Sequence, residues 1–135
     1  MKKVLGAVLA TLCLAVSAEA QTRVALADDA ELEAGLTVVA IGDMIRKSCD
    51  GISARPIRAY AYIWDLESRA RSLGYSRDEI EAYIDSRPDK ARIEAKARDW
   101  IVARGGDPAR PSTYCAVGRG EIAVGSTVGR LLKLD

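Results

Sequence analysis

Apolar positions recur at helical spacing along nearly the whole chain, and strand-like alternation is almost absent. Asp28 or Asp29 is placed to cap a first helix running to about Ser48, in which Val38, Ile41 and Ile45 fall three and four apart on one face. Leu32, Leu36 and Val39 widen that stripe, which predicts a helix packed on two sides. Cys49-Asp50-Gly51 ends it, with Gly51 suited to a left-handed turn. Pro56 suits the first position of a second helix, which Gly74 terminates. Ile57, Tyr60, Ala61 and Trp64 form one row along it and Ile63, Leu66, Ala70 and Leu73 the adjoining row, so this helix is expected at the centre of the core.

Ser76-Arg77-Asp78-Glu79 is a capping box that starts a short third helix carrying Ile80, Tyr83 and Ile84 inward. Arg87-Pro88 breaks that helix and begins a fourth, which Gly105-Gly106 ends. Its Ile93, Ala97, Trp100 and Ile101 follow a buried stripe, and Glu94 and Arg98 form an exposed i,i+4 pair. Gly105 to Pro111 reads as a loop. Ser112 to Cys115 opens a fifth helix, which Gly118, Gly120 and Gly125 weaken by about 1 kcal/mol each relative to alanine. Thr127 to Lys133 closes with one or two helical turns, and Leu131, Leu132 and Leu134 tack them to the core. Gly125 and Gly129 have the spacing of a close helix contact. The expected architecture is an all-α bundle of four to five helices in a single domain, residues 21–135.

The first twenty residues stand apart from this pattern. Met1, Lys2 and Lys3, the apolar run Val4 to Val16, and Ala18-Glu19-Ala20 read as a secretory signal peptide cleaved after Ala20. The run is shorter than the ~20 residues that span a bilayer as a helix. Leu12 before Cys13 does not suit lipoprotein processing. The expectation is a periplasmic protein with no span of its own, soluble or peripheral on the inner membrane.

Cleavage changes charge and cysteine content together. Of 20 basic and 19 acidic residues, Lys2, Lys3 and Glu19 leave, so 18 face 18. A neutral chain lacks the basic surface that phosphate backbones select, and nucleic acid is not an expected partner. Cys13 leaves too, and the remaining Cys49 and Cys115 pair most simply as a disulfide in an oxidising compartment. Closing so long a loop contributes on the order of 4 kcal/mol in the chain-entropy picture. A reactive thiol is the alternative; a nearby arginine could lower its pKa, but no histidine is present to activate it.

The absence of histidine removes Ser-His-Asp triads, Cys-His pairs, histidine zinc sites and histidine-ligated haem. Asp78, Glu79 and Glu81 are the densest acids, and their place in the first turn of a capped helix accounts for them through the helix dipole. No phosphate-binding glycine motif and no calcium loop is present. No catalytic residue, metal or cofactor is therefore expected. Arg55, Arg58, Arg69 and Arg71 cluster about the second helix; they could hold an anion or, with Asp65 and Glu67, make a solvated mixed-charge face. Tyr60, Tyr62, Tyr75, Tyr83 and Tyr114 are candidate interface residues, together with Arg58 and Arg69.

Gly74-Tyr75-Ser76-x-x-Glu79-Ile80, Tyr114-Cys115-Ala116-x-Gly118, Glu121-Ile122-Ala123 and Gly125-x-x-x-Gly129-Arg130-Leu131-Leu132 resemble a family of small secreted bacterial proteins of unknown function. The resemblance covers most of the chain after the leader. It implies an accessory component of respiratory complex I, the proton-pumping NADH:quinone oxidoreductase, outside the membrane. Two expectations follow: a non-catalytic accessory protein docked on an inner-membrane respiratory complex, or a free-standing periplasmic binding or inhibitor module for a small anion or a protein.

Overall fold

A computed structural model describes residues 23–135. The leader read over residues 1–20 and its cleavage point lie outside the described residues. A 3-10 turn at Leu26–Asp28 leads into α1, Ala30–Ser48, followed by β1, Ile52–Ala54, and α2, Pro56–Ser72. Then come α3, Arg77–Asp85, and α4, Arg87–Val102. A second 3-10 turn, Pro111–Thr113, precedes α5, Tyr114–Val124, α6, Thr127–Leu131, and β2, Leu132–Leu134. The chain is mostly helical, and the turns expected from Thr127 form the sixth helix, α6.

α1 is the axis of the fold, with α2, α4, α5 and α6 all packed against it. Its breadth of apolar surface serves this role: Ile41 and Ile45 are fully enclosed, and Leu32 is buried towards the opposite end. Around Ile41 and Ile45 gather Ile52 of β1, Ala97 and Ile101 of α4, Tyr114 and Val117 of α5, Val128 of α6 and Leu132 of β2. A smaller cluster joins Leu26, Leu32, Ala70 and Ile80. The Cys49–Cys115 disulfide ties the end of α1 to the start of α5 across 66 positions and lies within the main core.

The strands escape the sequence pattern because three residues are too few to show alternation. β1 and β2 pair antiparallel, Ile52 opposite Leu134 and Ala54 opposite Leu132. Leu132 is buried, whereas Leu134, expected in the core and on the same face two residues on, is exposed at the end of the strand. The Arg55 N–H donates to the Leu131 carbonyl at 2.7 Å and its Nε to that of Leu132 at 2.9 Å, so this hairpin also holds the start of α2.

Three local readings need correction. Gly51 does not take up a left-handed conformation; positive φ falls at Gly74, Gly105 and Gly125 among the described residues, and α1 ends instead in extended Cys49. Glu94 and Arg98 form no ion pair among the described residues; the ion pairs α4 makes to α1 are those of Arg92 and Lys96 with Glu33. Ile84 is exposed, since the short α3 turns Ile80 into the smaller cluster and leaves Ile84 on its rim.

The larger correction concerns α2. Ala70 is the only residue of this helix that is fully buried, so α2 lies on the outside of the bundle and not at its centre. Leu66 and Ala70 do pack into the smaller cluster. The row Ile57, Tyr60, Ala61 and Trp64 faces solvent. A helix apolar on two sides buries only one when its neighbours all lie on one side, and α1, α3 and α6 leave the other side of α2 uncovered.

The close contact anticipated from Gly125 and Gly129 occurs between α5 and α6, where a Cβ on Gly129 would stand 1.9 Å from the Glu121 carbonyl oxygen. Gly129→Ala must push two backbones apart and is expected to cost at least about 2 kcal/mol. Gly120, on the same helix α5 with nothing within 4 Å of a Cβ, is expected to gain about 0.5–1 kcal/mol on replacement by alanine. Urea denaturation midpoints of the two variants should shift in opposite directions.

Candidate functional site

The exposed row of α2 is the feature of the surface that ordinary packing does not account for. Ile57 is 86% exposed, Tyr60 73% and Trp64 74%, and at positions i, i+3 and i+7 they make one apolar ridge along the helix. Scattered apolar residues are normal on a surface, whereas contiguous large ones mark contact sites. Beside the ridge, Ile63 and Tyr60 border a cleft of about 300 Å³ whose other wall is Val39, Gly42 and Asp43 of α1. Across α1, a second cleft of about 500 Å³ lies against α3 and α4, floored by Leu36, Val39, Met44, Ile84 and Ile93. Val39 and Asp43 line both clefts, so apolar surface continues from α2 over α1 to the α3–α4 hairpin.

What turns this face outward is an ion pair on the opposite side of α2. The Arg69 guanidinium donates from Nε to one Asp29 carboxylate oxygen at 2.8 Å and from Nη2 to the other at 2.9 Å. Asp29 is also the N-cap of α1, accepting from the Leu32 N–H at 2.8 Å, and it is 7% exposed. Arg69 pairs with Glu31 as well. Leu66, one turn earlier, sits so close over Gly35 that any side chain there would meet it. With Leu66 and Arg69 held against α1, helical geometry places Ile57 and Trp64 on the far side. Arg69, followed by the Leu32 N–H, holds the Asp29 carboxyl below its usual pKa.

A second clamp closes the N-terminal arm. Arg23 lies over the Tyr75 ring, donates to the Gly74 carbonyl at 2.6 Å and pairs with Glu79 at 2.7 Å. Glu79 completes the capping box by accepting from the Ser76 N–H at 2.8 Å. Arg23 first, then the Ser76 backbone, bring the Glu79 carboxyl down to about 2.

The arginines expected to gather an anion do not converge. Arg55 serves the hairpin, Arg69 the Asp29 carboxylate, and Arg71 pairs with Glu67 on its own helix. Arg58 alone of the four projects into solvent without a partner among the described residues. The tyrosines divide similarly. Tyr60 stands on the ridge, while Tyr114 is 6% exposed inside the main core and presents no surface. Tyr62, Tyr75 and Tyr83 are half-buried: Tyr75 donates to the Val24 carbonyl at 2.7 Å, Tyr83 accepts from Arg92 at 3.1 Å, and burial pushes the Tyr62 phenol up. Of the seven surface candidates, Tyr60 stands on the ridge and Arg58 on its flank.

Helical periodicity assigns Ile57 and Trp64 to the core, and no local signal separates an apolar row that is buried from one that is displayed. The sequence marks Asp29 as a cap but not as the partner of Arg69, because a partner 40 residues away leaves no local trace. Among the described residues no three His, Cys, Asp or Glu side chains are grouped to hold a metal ion, and no helix is long and apolar enough to cross a membrane.

Residues 24–133 match the model of a family described as "Family of unknown function (DUF5333)". No curated protein and no solved structure matches the chain.

Both clamped carboxylates have lowered folded pKa values, so the stability they contribute is present above the ordinary carboxylate range and is lost as pH falls. For Glu79 the window runs from 4.5 to about 2, and for Asp29 it lies below 3.8. Thermal melts are expected to fall across this range. Asp29→Asn should melt lower at neutral pH and show a flatter acid dependence.

Proposed function

The chain belongs to this family of unknown function, and from that premise we propose that it is a non-catalytic docking protein that presents the α2 ridge to a protein partner. The observation that carries the reading is the solvent exposure of Ile57, Tyr60 and Trp64 together in one row. Tryptophan and tyrosine are enriched where interfaces concentrate binding energy, since each supplies a large apolar area with a polar edge and few rotors. The ridge projects from a helix held to its neighbours at both ends, by Arg55 on the hairpin and by Arg69 on Asp29. A rigid ridge loses little conformational freedom on binding.

The signal peptide read at the N-terminus directs the partner to the far side of the inner membrane, and the disulfide suits that compartment. Within that compartment, the family resemblance favours respiratory complex I, on which the chain would sit as a peripheral accessory protein. Its role there is attachment, with the clamped helix and the disulfide supplying rigidity in place of a reaction centre.

The test is affinity copurification from detergent-solubilised membranes with tagged wild-type protein and Trp64→Arg. Wild type should retain complex I subunits, and the variant should lose them more than about tenfold. Because Trp64 is exposed, the substitution should leave stability within about 0.5 kcal/mol. Recovery of free protein alone, or equal recovery with the variant, would overturn the reading.

A further inference from the structure

The charges of α2 are arranged unevenly about its ridge. Glu67 pairs with Arg71, and Arg69 with Asp29 and Glu31, on the helix itself or against α1. Arg58 and Asp65, both exposed, have neither an ion-pair nor a hydrogen-bond partner among the described residues. At about 100° per residue, Ile57, Ala61, Trp64 and Ser68 lie along the outward line of the helix, and Arg58 and Asp65 share one flank of it. Two helical turns separate them, about 10 Å along the axis.

We propose that the α2 ridge docks on the same ridge of a second copy of this chain, the two helices running antiparallel about a two-fold axis that passes beside Ala61. The inference rests on the reading of the ridge as a docking surface and specifies what occupies it when the protein is alone. In such a pair each flank meets its own counterpart with direction reversed. Arg58 of one copy then stands level with Asp65 of the other, and the symmetry makes the same pair twice, as an isologous contact requires. Two parallel helices about a two-fold axis would instead set this flank against the opposite flank of the partner, so Arg58 and Asp65 would not meet. Flanking opposite charges of this kind choose orientation and register in helix pairs.

The register that matches the charges also packs the ridge. Centred between Ala61 and Tyr62, it brings each Trp64 to the level between Ile57 and Ala61 of the other copy. The single methyl group of Ala61 leaves room there for an indole, so the Trp64 knob enters a hole bounded by Ile57, Tyr60 and Ala61. Opposite charges alone could bring many surfaces together. Agreement between charge register and knob register on one helix, with neither charge used inside the fold, is what singles out a second copy.

Light scattering and sedimentation of the purified protein, at concentrations up to on the order of 100 µM, test this. The wild type is expected to be a dimer, and Trp64→Arg a monomer with an unchanged circular dichroism spectrum. Arg58→Asp makes the flank wholly acidic and Asp65→Arg makes it wholly basic; each alone should dimerise more than about tenfold more weakly than wild type. Mixing those two variants should restore association as a heterodimer. One of its two contacts sets the introduced carboxylate at position 58 against the introduced guanidinium at position 65, and the other keeps the native Arg58 and Asp65. A monomeric wild type, a dimer that survives Trp64→Arg, or a mixture that fails to associate would each overturn the inference. A monomeric wild type whose membrane capture is lost with Trp64→Arg would assign the ridge to a different protein, leaving the docking function standing without self-pairing.

Discussion

The carboxylate of Asp29 sets the arrangement of the molecule's outer half. One group caps α1 through the Leu32 N–H and receives Arg69 of α2 in a bidentate contact. Such a pair, nearly withdrawn from water at the carboxylate, is directional in a way that apolar contact is not, because both oxygens must be met by a planar guanidinium. Arg69 is thereby fixed in angle about the α2 axis, and so is every other residue of the helix. Leu66 against Gly35 follows from the same rotation, and the display of Ile57, Tyr60 and Trp64 is its reverse side.

The other half is organised by the far end of α1. There the Cys49–Cys115 bridge joins α1 to α5, and Ile41, Ile45, Ala97 and Ile101 fill the space between α1 and α4. α6 packs closely on α5 because Gly129 has no side chain, and β2 then carries the chain back to β1 and to the start of α2. The core therefore forms around α1 without needing the ridge of α2. An apolar row outside a complete core remains available for a partner.

Helix positions are largely legible in the chain because their signals are local. The capping box at Ser76 and Glu79, Pro56 at the first position of α2, and the glycine after α2 act within one turn of the chain, and all three stand where the pattern places them. The central role of α1 is legible too, since a stripe that broad requires neighbours on more than one side. The candidate site is not. Chemistry alone marks Arg58 and Tyr60 as contact residues, while the periodicity that correctly places Ile41 and Ile45 in the core puts Trp64 and Ile57 there as well. Periodicity reports that a face is apolar and carries no information about what covers it.

By itself the sequence determined a helical chain with no histidine chemistry and with Cys49 and Cys115 as a pair that could bridge, because capping, helical period and residue inventory are properties of short stretches or of composition. Tertiary structure decided which face of α2 is buried, that Ile52 of one short strand lies opposite Leu134 of another, and that Arg55 and Arg69 go to separate partners. Each of these depends on a partner distant in the chain. Asp29 and Arg69 lie 40 residues apart, and the meeting of that one pair makes the ridge a surface instead of a core.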